Sequence, residues 1–138
     1  MRSKFERKIA AQLRRNKIPY EYESETWTFP RPVPRAYCLC CGSTNIAKKS
    51  SYLIDFKVGD TYLETKGKLD ANQRSKFISL QKEYPDRDIR FVFMRNNKIH
   101  KRSETRYTEW ATKHGFKSAV GLVPRNWIKE FRNGLTKE

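Results

Sequence analysis

Two β-prone runs meet at Gly59-Asp60, and that junction constrains the fold more than any other feature of the sequence. Gly-Asp between such runs is a two-residue hairpin turn. YLIDFKV before it and TYLETK after it therefore read as paired antiparallel strands, with Val58 opposite Thr61. Counting back along that register sets Asp55 opposite Glu64, and directly opposed residues share a face of the sheet. Lys66 lies two positions past Glu64 and points the same way. Two carboxylates and a lysine thus converge. Opposed carboxylates repel one another, and a pair open to water and to phosphate oxygens is a hard-oxygen site that suits Mg²⁺. Such an ion polarises a phosphate and lowers the pKa of water, while a lysine beside it orients or deprotonates that water or offsets developing charge. The plainer alternative is a cross-strand ion pair on a solvated sheet face, the commoner case for an arbitrary hairpin. Leu63 beside Glu64 and the charge of the whole chain weigh toward chemistry.

That charge is large: 30 Lys and Arg against 15 Asp and Glu give a net +15. Self-repulsion on this scale opposes compaction, so a polyanionic partner is implied, nucleic acid before an anionic membrane. The basic residues run through the chain instead of filling one tail, as expected of a folded basic surface. Lys48, Lys49, Lys68, Arg74 and Lys76 flank the hairpin site. Singly each is a solvated charge, and together they are candidates to hold DNA phosphates. No apolar run is long enough to span a membrane, and the charged N-terminus lacks a signal-peptide core. A cytoplasmic protein is the expectation.

The 138 residues suit a single domain. A helix is predicted over 3–15, with Phe5, Ile9 and Leu13 on one face and Ser3 and Glu6 at capping-box spacing. A strand follows over 20–29. Pro30, Pro32 and Pro34 predict a stiff extended connector, a bridge at about 30–36, since alternate prolines suit neither helix nor sheet interior. Residues 37–51 read as an irregular insertion. It carries Cys38, Cys40 and Cys41, of which Cys38 and Cys41 form a Cys-x-x-Cys-Gly half-site. Without a second pair these are free thiols before they are ligands of a structural Zn²⁺. After the hairpin, Asp70 and Gln73 open a helix to about Tyr84. IRFVFM at 89–94 is a buried strand. Helices follow around Tyr107–His114, closed by Gly115, and after Pro124, with Trp127, Ile128 and Phe131 inward. The order of elements is that of a mixed α/β domain.

Asp55, eight intervening residues and Glu64-Thr65-Lys66 resemble the PD-(D/E)xK nuclease motif. LETKGKL, the opening SKFERKIAAQLRRNKIPYEYE and IRFVFMRNNKIHKRSETRYTEWATKHGFKSAVGLVPRNWIKEF are similar to the phage endonuclease I family of that superfamily, over about residues 3–131. The resemblance implies a restriction-endonuclease-like nuclease fold, with helices flanking a central mixed sheet. It implies Mg²⁺-dependent hydrolysis (Mn²⁺ substituting) of four-way Holliday junctions and other branched DNA. It further implies a domain-swapped homodimer in which the first helix completes the partner's site. Position by position, Asp55 and Glu64 match the metal-binding carboxylates, Lys66 the catalytic lysine, and Glu6 the acid of the first helix. Ile54 stands where the motif has proline, and the cysteine-bearing segment is longer than in the family. A restriction or mismatch-nicking nuclease and a noncatalytic basic nucleic-acid-binding protein of the same fold are the rival readings.

Overall fold

The computed structural model describes residues 3–32 and 47–136, without the side chains of residues 32, 47, 48 and 136. The expectations for Pro34, Cys38, Cys40 and Cys41, and for the side chain of Lys48, fall outside what is described.

The chain runs α1 (Lys4–Arg15), β1 (Glu21–Tyr22), β2 (Thr26–Pro32), β3 (Ala47–Leu53), β4 (Phe56–Val58), β5 (Thr61–Lys66), α2 (Ala71–Glu83), β6 (Asp88–Phe93), α3 (Tyr107–Lys113), β7 (Lys117–Val120) and α4 (Arg125–Thr136). Five strands form one sheet in the order β1-β4-β5-β6-β7, while β2 and β3 form a separate ribbon. β4 is antiparallel to β1 and β5, and β6 is parallel to β5 and β7. The expected mixed α/β architecture is thus present. The hairpin closes as predicted, with Val58 paired to Thr61 and Gly59 at φ +60° in the turn.

Alternation along the strands divides the core. On one face α2, α3 and the ribbon bury Trp27, Tyr52, Phe77, Phe91, Phe93 and Trp110. On the other, α1 and α4 bury Ile9, Leu13, Phe56, Leu63, Val92 and Trp127. Capping acts at the helix starts: Ser3 Oγ accepts from the Glu6 amide, and Asp70 Oδ1 from the Gln73 amide. The first capping box is only half formed, because the Glu6 carboxylate is bonded to Tyr22. Pro124 lies one residue ahead of its expected place: its carbonyl accepts from Trp127 and Ile128 and so starts α4.

Four expectations are corrected. The strand over 20–29 is two strands, β1 and β2, interrupted at Glu23, which has φ +49°. Pro30 and Pro32 lie in β2 and pair with Lys49 and Ala47 of β3, so these prolines do not prevent the chain from folding back on itself. Their spacing explains this. The Thr28 carbonyl bonds outward to the Tyr84 hydroxyl, so residues 28, 30 and 32 have the parity that faces away from β3. Proline there forfeits no ladder bond. Residues 47–51, expected to be irregular, belong to β3 for the same reason, since they are the partners of that ribbon. Finally, YLIDFKV is not one strand. It leaves the ribbon after Leu53 and joins the main sheet at Phe56.

Candidate active site

The break between β3 and β4 makes the site. Ile54 donates to the Glu25 carbonyl, and the Asp55 carbonyl accepts from the Glu23 amide, so residues 23–25 hold the crossing between ribbon and sheet. The β4–β5 ladder ends at Phe56 opposite Leu63. Asp55 is therefore not the ladder partner of Glu64 that the strand count predicts. Its carboxylate continues the ladder instead: Oδ2 accepts from the Thr65 amide at 3.0 Å and from the Thr65 hydroxyl at 2.8 Å. Two donors on one oxygen fix the carboxylate beside β5 and leave Oδ1 for other partners.

Glu64 sits in the middle of the fully buried run of β5 and is 1% exposed. Lys66 Nζ lies 2.9 Å from its Oε1, and among the described residues nothing hydrogen-bonds its Oε2. Burial pushes the Glu64 carboxyl up to about 7, against the pull of the Lys66 and Lys76 ammonium groups. Burial also raises the Asp55 carboxyl, as does the charge of Glu6, while the two Thr65 bonds and Lys66 act the other way. Both carboxylates are thus destabilised in their ionised form, and a cation reverses that.

A cavity of about 320 Å³ opens over these groups, lined by Glu6, Asp55, Glu64, Lys66 and Lys76 among others. All four residues singled out for chemistry in the sequence therefore meet. Glu6 reaches this cavity from the first turn of α1 of the same chain, where it accepts a hydrogen bond from the Tyr22 hydroxyl. No three His, Cys, Asp or Glu side chains among the described residues form a closed metal cage. That donor set fits Mg²⁺, which keeps several waters and takes one or two protein carboxylates plus substrate phosphate oxygens. The unpartnered Oε2 of Glu64 is the free ligand such an ion needs.

The basic residues are less uniform. Lys49 and Lys68 are exposed. Arg74 is committed to the backbone, with Nη1 donating to the carbonyls of Leu69 at 2.7 Å and Ile99 at 3.1 Å. Lys76 is half-buried inside the cavity, and burial together with Lys66 lowers the pKa of its ammonium. The sequence reading missed Thr65 as the residue that aims Asp55, Tyr22 as the holder of Glu6, and Glu23 as part of the cavity wall. A hydroxyl between two motif residues is the only one of these with a sequence signal.

The sequence profile of the phage endonuclease I family matches residues 1–138. The chain belongs to the phage endonuclease I family. It is 35% identical to "Endonuclease I" of Escherichia phage T7 over 131 residues, 94% of this chain and 78% of that relative. It is 34% identical to "Endodeoxyribonuclease 1" of Enterobacteria phage T3, covering 94% of this chain and 77% of that protein. In this member of the phage endonuclease I family, Asp55, Glu64 and Lys66 stand together in three dimensions. Among the described residues no helix is long and apolar enough to cross a membrane.

Proposed function

We propose that this chain is a Mg²⁺-dependent DNA endonuclease of restriction-endonuclease-like fold that resolves four-way and other branched DNA junctions. The observation that carries the reading is the buried Glu64 carboxylate, with one oxygen on Lys66 and the other free, in the cavity shared with Asp55. Membership of the family supports the DNA-cleaving class, and the net charge of +15 supports a phosphate-backbone partner.

Asp55 Oδ1 and Glu64 Oε2 would hold the ion, whose bound form supplies Lewis-acid polarisation of the scissile phosphate and neutralises charge there. Lys66, anchored by Glu64 Oε1, presents its remaining N–H groups to water and to phosphate oxygen. It thereby orients the attacking water and offsets charge as the new bond forms. A water oxygen bonds to phosphorus and the bond to the 3′ oxygen breaks, leaving a 5′-phosphate and a 3′-hydroxyl. Glu6 adds negative charge at the cavity wall and strengthens the demand for a cation. Junction choice comes from the placement of basic surfaces on DNA arms, not from base reading. The decisive experiment incubates the protein with a labelled four-way junction and a matched linear duplex, with Mg²⁺ or with chelator. Mg²⁺-dependent cutting of the junction is expected. Binding without cutting under all conditions marks a noncatalytic protein, and cutting of the linear duplex alone marks a restriction-type enzyme.

Paired nicks across a junction call for two sites, and the same reading includes a homodimer with exchanged N-terminal segments. Residues 3–32 carry Glu6, and residues 47–136 carry Asp55, Glu64 and Lys66. The β2–β3 ladder between these segments forms equally well within one chain or between two. Mixing Glu6→Gln with Asp55→Asn subunits tests exchange. An exchanged heterodimer has one site with both defects and one with neither, so it recovers nicking. A heterodimer of closed chains recovers none.

A further inference from the structure

Most charged side chains around the site are already engaged. Lys66 is paired with Glu64, Lys57 with Glu25 at 2.9 Å, and Arg74 with two carbonyls. Lys76 is the exception. It precedes Phe77, which is fully buried on α2 against the sheet, and this places Lys76 at the cavity wall and not in open solvent. Its Nζ lies 4.4 Å from the centroid of the Tyr52 ring and 5.7 Å from that of Phe77. Among the described residues it takes part in no salt bridge.

Ring faces hold an ammonium by its charge and leave its directed N–H bonds unspent. A half-buried lysine in that state has lost part of its hydration and, among the described residues, gained no direct ion pair in return. It shares the cavity with a second cation, Lys66; burial, Lys66 and Arg31 disfavour its charged form, while the carboxylates of Glu64 and Asp55 favour it without pairing to it. The ring faces and nearby carboxylates leave its N–H groups without an acceptor, and a phosphate oxygen in the cavity supplies one. An anion of that kind is what the endonuclease reading brings there.

We propose that Lys76 is a second catalytic lysine, whose ammonium contacts a nonbridging oxygen of the phosphate being cut. The inference rests on the endonuclease reading and adds to it a residue that the sequence motif does not contain. It divides the work between the two lysines. Lys66 is held by a carboxylate next to the attacking water, and Lys76 is held by aromatic rings and free to follow the phosphate as its charge redistributes.

The test measures single-turnover cleavage of a four-way junction at saturating protein with Mg²⁺, using an all-oxygen scissile phosphate and each of its two phosphorothioate diastereomers. Lys76→Met keeps the hydrophobic stem over Tyr52 and removes the charge. It should lower the rate roughly 100-fold with little change in junction affinity or melting temperature. Lys76→Arg should recover most of the rate. With wild-type protein, one diastereomer should be cut more slowly than the oxygen substrate, and that sulfur effect should shrink in Lys76→Met, because the contact it perturbs is gone. An unchanged rate in Lys76→Met overturns the proposal. So does a loss that leaves the sulfur effects of wild type intact or tracks a lowered melting temperature, since either marks a structural role. Failure of the wild-type protein to cut the all-oxygen junction refutes the endonuclease reading itself, and this inference falls with it.

Discussion

The two faces of the central sheet each bury a charge, one register step apart, and they treat it differently. On one face Arg90 of β6 is 3% exposed, yet its guanidinium meets Asp88 at 2.7 Å and Glu130 at 2.6 Å and lies over the rings of Trp127 and Phe131. On the other face Glu64 of β5 is 1% exposed and meets one lysine, with one oxygen left over. Both strands are interior and neighbours in the same sheet. The difference therefore does not come from depth of burial but from what meets each charge. A buried charge with two counter-ions and aromatic cover belongs to the structure, whereas a buried carboxylate with an idle oxygen on an open cavity is held ready for a ligand.

Removal of each charge separates the two cases. Asp55→Asn or Lys66→Ala should reduce junction cleavage roughly 1,000-fold or more while leaving junction binding nearly intact. Arg90→Met should leave the single-turnover rate of the folded protein close to that of wild type. Measured rates and affinities for the three variants check both statements. Comparable losses of cutting on the two faces would erase the distinction.

Stability should move in opposite directions. For Glu64 the ionised form is disfavoured in the fold, where the carboxyl titrates at about 7 against 4.5 in its ordinary state. Between those values the folded state binds the extra proton, so metal-free protein loses stability as pH rises from about 4.5 to 7 and the loss is complete above that range. Glu64→Gln should reduce this slope to the part that the raised Asp55 carboxyl contributes, and stabilise the metal-free protein by about 3 kcal/mol above pH 7. Arg90→Met should instead destabilise by about 2 kcal/mol, through lost packing and ion pairs, because Asp88 and Glu130 regain water when it goes. Denaturant titrations across pH read both. A flat profile for the wild type would show that Glu64 is already compensated.

Much of this contrast was legible in the sequence, for local reasons. A two-residue Gly-Asp turn fixes its register, so Val58 opposite Thr61 followed from the turn, and Glu64 and Lys66 fell on one face. Side-chain caps at Ser3 and Asp70 fixed two helix starts. The fate of Asp55 was not legible. YLIDFKV has a continuous β-prone pattern, and what breaks it is the distant Glu23–Glu25 backbone, which captures Ile54 and Asp55. The ribbon was hidden because proline is read as a strand breaker unless its parity relative to the partner strand is known. β7 was missed because its four residues are exposed or half-exposed and carry no apolar alternation. Lys76 was legible only as one of five basic residues flanking the site, since its place in the cavity depends on how α2 sits on the sheet.

The central claim is that Glu64 and Asp55 hold a hard cation. Calorimetric titration of Mg²⁺ into DNA-free protein above pH 7 addresses it without relying on activity. The account predicts saturable binding to wild type and to Arg90→Met, with loss of that binding in Glu64→Gln and in Asp55→Asn. Equal Mg²⁺ binding by wild type and Glu64→Gln would contradict it.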